Sequence, residues 1–235
     1  MKVLLSYAHP DDETFSVAGT VIKLVKTGHQ VSLITATFGQ MGLSAEIKVN
    51  GPEELGQIRK KEMEEAAKIT GISKIHYFGL MDGELYKYRV SDMADKILPI
   101  MLQEEPDIVI TFEKKGGSNH PDHIKMSYST THAFREYMKQ SKKQVKLYHT
   151  VTPRSYYTQY EKSGLGTNTG FGNAKGVYDS HITTTVDISD VFELKLKAIE
   201  CHKTQAKDVA RYKHRMEQVD LKKEFFKLIA ENSIF

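Results

Sequence analysis

Two short stretches concentrate the side chains that could do chemistry. "AHPDDE" at 8–13 packs His9, Asp11, Asp12 and Glu13 around Pro10, and "SNHPDH" at 118–123 supplies His120 and His123. Imidazole and carboxylate are ligands for a borderline divalent metal such as Zn²⁺. His9 and Asp12 lie three apart across a proline-stiffened turn, so both can converge on one point. His120 and His123 are also three apart, at a predicted helix start, and share one helix face. Two histidines with one carboxylate would leave a coordination position open for water, as a catalytic zinc site does. A divalent cation would also make the crowded carboxylates tolerable. The positive end of the following helix would add to that effect.

The residue types leave two other readings open. Two histidines and a carboxylate also form the facial triad of non-haem Fe(II) enzymes, although those folds are typically all-β. A non-catalytic Rossmann-like binding module is the second. Its first turn would be a glycine-rich phosphate cradle, whereas this one reads His-Pro-Asp-Asp.

The two clusters can act together only if the fold brings them together. "VLLSYA" (3–8) is a continuous apolar run, the pattern of a strand buried on both faces. From Thr14 the apolar residues recur at three and four until Gly28, which predicts an amphipathic helix with a stop signal. "QVSLITATFG" (30–39) follows as a strand, completing a β-α-β unit. After a loop at 39–54 the pattern predicts a helix at 54–71, a strand at 74–80 and a helix at 90–105, with Pro99 expected to kink or break it. "PDIVITF" (106–112) reads as a strand and 121–140 as a helix with proline in its first turn. Strands are expected at 145–151 and 182–189, and the tail from 190 to 232 is expected to be largely helical. Alternating strands and helices predict a three-layer α/β domain, with a mostly parallel sheet and helices on both faces. Ligands of such sheets bind outside the carboxyl ends of the strands. Both clusters follow predicted strands, so parallel pairing would place them on one edge. The glycine-rich segment 163–176 reads as a connector or a substrate-side loop.

Composition narrows the class. The 235 residues fit one domain, taken as 1–235, and 40% hydrophobic with 27% charged residues fits an ordinary globular chain. A formal charge of +3 is too small to imply nucleic acid as a partner. Cys201 is the sole cysteine, so no intramolecular disulfide can form, and a buried structural thiol in a reducing cytosol is expected. No signal-peptide profile or spanning helix is read, which predicts a cytoplasmic protein without a membrane partner. Nothing in the sequence fixes an interface, so a homo-oligomer stays open.

"AHPDDE" and "HPDH" together resemble the paired signatures of the PIG-L/LmbE-like family, zinc-dependent deacetylases of N-acetylglucosaminyl conjugates and related acetamido sugars. "RKKEMEEAAKITGI" (59–72), "FGLMDGEL" (78–85) and "HITTTVDISDVFELKLKAIECHKTQ" (181–205) resemble further family segments. The resemblance implies an LmbE-like, Rossmann-like fold and an acetamido-sugar substrate, with Zn²⁺, Fe²⁺ or another divalent metal. It implies that His9, Asp12 and His123 are metal ligands, Asp11 the general base and His120 a transition-state partner. Arg59 would contact substrate or orient Asp11, and Asp82 would contact substrate. The tyrosine that some members carry before the second motif is absent; Ser118 and Asn119 stand there. Tyr156 or Tyr157 could replace it from another segment, although strand-end aromatics usually pack the surface. His202 belongs to the family-like "HKTQ" segment, where a pocket-lining and a structural role are both open.

Overall fold

The computed structural model describes residues 1–42 and 47–232. The predicted loop at 39–54 therefore lies partly outside the described residues. β1 (Lys2–Tyr7), α1 (Asp12–Lys26) and β2 (Gln30–Thr37) open the chain. α2 (Pro52–Thr70), β3 (Lys74–Leu80), α3 (Val90–Glu104), β4 (Ile108–Phe112) and α4 (Pro121–Gln140) follow. β5 (Lys146–Val151), α5 (Arg154–Lys162), β6 (Thr184–Asp187), α6 (Phe192–Ile199), α7 (Ala206–Met216) and β7 (Lys223–Glu231) complete it.

The strands form one sheet in the order β3-β2-β1-β4-β5-β7-β6. β3, β2, β1, β4 and β5 run parallel, and β7 lies antiparallel between β5 and β6. The apolar runs of the central strands explain their position: Leu4, Leu5, Leu33 and Ile34 are fully buried, with helices covering both faces. α1 packs against α2 and α6, while α3 packs against α4. The mostly parallel α/β sheet matches the expectation. None of the described helices is long and apolar enough to cross a membrane.

Three expectations need correction. The tail is not largely helical to residue 232, because 223–231 is β7. Pairing with β5 on one side and β6 on the other satisfies its backbone, and this tertiary ladder outweighs local propensity. Of the kink or break expected at Pro99, the break does not occur: α3 continues to Glu104. Tyr156 and Tyr157 belong to the unforeseen α5, not to a strand end.

β7 is anchored by a buried ion pair. Lys195 Nζ lies 2.6 Å from Glu224 Oε1, and both side chains are almost fully enclosed. Glu224 also accepts the Gly19 and Thr20 amides of α1 at 3.0 and 2.7 Å, and Lys195 donates to Phe15 O at 2.9 Å. Burial works against the Lys195 charge, but Glu224 outweighs it and holds the pKa above the usual lysine value.

The order reverses beside β1, since β2 lies on one side of it and β4 on the other. This switch point opens a crevice at the carboxyl ends of β1 and β4. Both polar clusters emerge there.

Candidate metal centre and its cavity

His9 follows β1, and Asp11 precedes α1 with φ 116°, a strained backbone for a residue with a Cβ. α1 begins at Asp12, two residues before the expected start. Opposite, His120 caps α4 and His123 sits in its first turn. The β1–β4 pairing brings the two segments together, as expected.

His9 Nδ1 lies 3.1 Å from His123 Nε2 and 3.5 Å from Asp12 Oδ2, and His123 Nε2 lies 3.2 Å from Asp12 Oδ1. A tetrahedral ion with ligands at about 2.0–2.1 Å separates them by about 3.3 Å. The far nitrogen of each ring settles its tautomer. His9 Nε2 lies 2.9 Å from Asp82 Oδ1 and 3.3 Å from Asp122 Oδ2, so it donates. His123 Nδ1 lies 2.9 Å from Gly116 O, so it donates too. Without a cation the Asp12 charge favours protons on the near nitrogens. Once a metal displaces them, as ligation requires, the lone pairs of His9 Nδ1 and His123 Nε2 face each other and the Asp12 carboxylate. Three electron-pair donors this close call for a cation among them, and the donor set fits a divalent metal.

Electrostatics separate the two aspartates. Burial raises Asp11 well above the usual carboxylate range, against the opposing pull of Arg59. Burial acts in the same sense on Asp12, but the charge and hydrogen bond of His123, with His9, overcome it and leave Asp12 well below that range. Burial would lower His9, yet its bonds to Asp12, Asp122 and Asp82 raise it.

Arg59 is paired with Asp11. Its Nη2 donates to Asp11 Oδ2 at 3.0 Å and to Pro10 O at 2.7 Å. Its Nη1 donates to Gly39 O at 2.9 Å and Gly42 O at 3.0 Å. Asp82 lines the cavity but is already engaged by His9 and by the Met41 amide at 3.1 Å. His120 Nδ1 accepts the Asp122 amide at 3.1 Å, which leaves Nε2 to carry the proton of the neutral ring. Burial and the charges of His9 and His123 bring His120 down to about 4.

Asp122 was passed over in the sequence although it stands inside "HPDH". Fully buried, it accepts the Gly83 and Leu85 amides at 2.8 and 3.1 Å and approaches His9. Gln205 was also passed over; it lines the cavity and its Nε2 donates to Gly42 O at 2.6 Å. Glu62 accepts Thr204 through its amide at 2.9 Å and its hydroxyl at 2.5 Å, which ties the Arg59 helix to "HKTQ". His202 packs behind the site, with Nε2 3.0 Å from Thr14 Oγ1; burial, then Arg59, pushes it down to about 3. Cys201 is half-buried, less than the buried thiol expected, and its Sγ donates to Lys197 O.

A cavity of about 480 Å³ opens above the cluster, lined by His9, Asp11, Asp12, His120 and His123 among others. The glycine-rich segment closes one side of it. Thr169 Oγ1 donates to Ser118 O, and the Phe171 ring lies 4.4 Å from that of His120. Tyr156 and Tyr157 also line the cavity, but their hydroxyls donate to Asp220 O at 2.6 Å and Gly117 O at 3.3 Å.

The chain is 29% identical over 232 residues to a 1D-myo-inositol 2-acetamido-2-deoxy-alpha-D-glucopyranoside deacetylase of Actinosynnema mirum, covering 87% of this chain and 80% of that one. It is 30% identical over 213 residues to a probable N-acetyl-alpha-D-glucosaminyl L-malate deacetylase 2 of Bacillus cereus, covering 90% and 87%. Among solved structures, N,N'-diacetylchitobiose deacetylase from Pyrococcus horikoshii superposes with TM-score 0.68 at 24% identity, over 97% of this chain and 83% of that one. The hydratase GalB from Pseudomonas putida KT2440 superposes with TM-score 0.73 at 17% identity, over 100% and 98%. These last two show the shared fold alone, and that fold carries more than one reaction. The family model described as PIG-L, GlcNAc-PI de-N-acetylase, matches residues 4–134, which include both clusters. The chain belongs to the PIG-L family.

Proposed function

We propose that this protein is a metal-dependent hydrolase that removes the acetyl group from an N-acetylglucosaminyl conjugate. The observation that carries the reading is the convergence of His9, Asp12 and His123 beside a strained, arginine-held Asp11 at the floor of one cavity. A pure binding module accounts for the cavity but not for the placement of Asp11.

His9 Nδ1, Asp12 and His123 Nε2 would hold the ion, and Zn²⁺ suits the donor set best, with Fe²⁺ as the alternative. Such an ion, when bound, lowers the pKa of water from about 15.7 toward about 7 and polarises a carbonyl. Asp11, fixed by Arg59, takes a proton as water attacks the acetamide carbon. Its raised affinity for protons suits a base that must hold one briefly. The Nε2–H of neutral His120 donates to the oxyanion, a contribution of about 3–4 kcal/mol for one well-placed donor. His120 acts as the neutral ring, because its Nδ1 accepts the Asp122 amide. Asp11 then returns the proton to the leaving nitrogen, and the C–N bond breaks to give acetate and the free amine.

An amine-release assay over N-acetylglucosaminyl inositol, N-acetylglucosaminyl malate and diacetylchitobiose tests this reading. Turnover of at least one is expected, with loss on chelation and recovery on adding Zn²⁺. Turnover that survives complete metal removal would overturn the metal assignment, and no amine from any of them would overturn the reaction.

A further inference from the structure

We propose that the end of the cavity beyond β5 is a subsite for an anionic aglycone, recognised by the guanidinium of Arg215. The proposal rests on the deacetylase reading of the same cavity and names the chemistry of the sugar's other half.

The cavity does not stop at the donor trio. It continues along the carboxyl edge of the sheet to the start of β7, where Phe225 pairs with Val151 at the end of β5. β7 lies two strands from β4, roughly 10 Å at ordinary strand spacing. That is the scale of a glycosidic substituent, not of the acetamido group.

The walls change character here. α5 contributes Tyr156 and Tyr160, and α7 contributes Arg211 and Arg215, which share a face at four-residue spacing. Most charges at this end are already paired. Arg211 lies 3.3 Å from Asp208, Lys223 lies 3.5 Å from Asp220, and Lys195 is held by Glu224. Arg215 differs. It is half-buried, its guanidinium lies 5.0 Å from the centre of the Tyr160 ring, and no carboxylate among the described residues is within ion-pair distance. A partly desolvated guanidinium beside an aromatic ring keeps a fork of donors for a carboxylate or a phosphate. Neutral aglycones would leave that charge without a partner.

The test compares kcat/KM of the metal-loaded enzyme for three substrates: N-acetylglucosaminyl L-malate, N-acetylglucosamine 1-phosphate and the neutral methyl N-acetylglucosaminide. Wild type is expected to favour an anionic substrate over the neutral one by about tenfold or more, carried by KM, and Arg215→Gln should lower that ratio by a similar factor. Arg215→Lys should retain part of it. The malate and phosphate arms decide which acid is taken. An equal ratio in wild type and Arg215→Gln overturns the subsite. No turnover of any substrate overturns the deacetylase reading instead; the Kd values of the three compounds for wild type and Arg215→Gln then decide the subsite on their own.

Discussion

Two carboxylates that lie side by side in the first motif have unlike neighbours. Asp12 faces two imidazoles, and Asp11 faces one guanidinium. Residue types and spacing were enough to nominate His9, Asp12, His120 and His123, because ligand chemistry is written in side-chain identity. Their supporting partners were less legible. Asp82 reads in sequence as a substrate contact, and in the structure its carboxylate lines the cavity and lies 2.9 Å from His9 Nε2. Asp82→Ala should therefore weaken metal binding by about 10–100-fold. A metal titration checks this; unchanged affinity with a raised KM would return Asp82 to a substrate role. Gly116 offers a second check on the same principle. A Cβ there would lie 2.4 Å from His123 Cβ, on a backbone with φ 67°. Gly116→Ala should displace His123 and also lower metal affinity.

At the scale of elements, the apolar runs and the caps located the central strands and most helices within a few residues. The shared edge of the two clusters followed from the rule that parallel strands present their carboxyl ends together, whereas the β1–β4 adjacency appears only in the fold. β7 was hidden because its partners, β5 and β6, are distant in sequence and its Phe-Phe-Lys-Leu-Ile run fits either period. The approach of α1 to Ile188 was hidden for the same reason. A Cβ on Gly19 would lie 2.5 Å from Ile188 Cδ1 and 2.8 Å from Ile188 Cβ. Alanine has the better helix propensity by about 1 kcal/mol, but overpacking costs about 1–3 kcal/mol. Gly19→Ala should therefore fail to stabilise and should lower the denaturant midpoint. A midpoint above wild type would show that α1 can shift away from Ile188.

Across the whole molecule, stability should depend on pH through two histidines buried as neutral rings. Burial pushes His149 down to about 4 and His202 down to about 3. Above about pH 6.5 neither the folded nor the unfolded chain protonates them. As pH falls below that, the unfolded chain binds protons that the fold refuses, so stability falls. The loss approaches about 1.4 kcal/mol per pH unit for each ring, down to the folded pKa. His120, also brought down to about 4, acts in the same sense. Glu13, pushed up by burial to about 7, acts in the opposite one, as do the raised Asp11 and His9. The His149 share is therefore read as a difference: in thermal unfolding of the chelated proteins, His149→Gln should gain stability relative to wild type as pH falls from about 6.5 to about 4.5. Equal slopes in the two proteins would remove His149 from the account.

The most direct measurement takes Asp11→Asn and reads metal content and turnover on the same sample. The donor trio is intact in this variant, so it should carry as much metal as wild type, while kcat falls by about 10²–10⁴-fold for loss of the base. Turnover close to wild type in the metal-loaded variant would contradict the role of Asp11, and with it the account of how this site cleaves an amide.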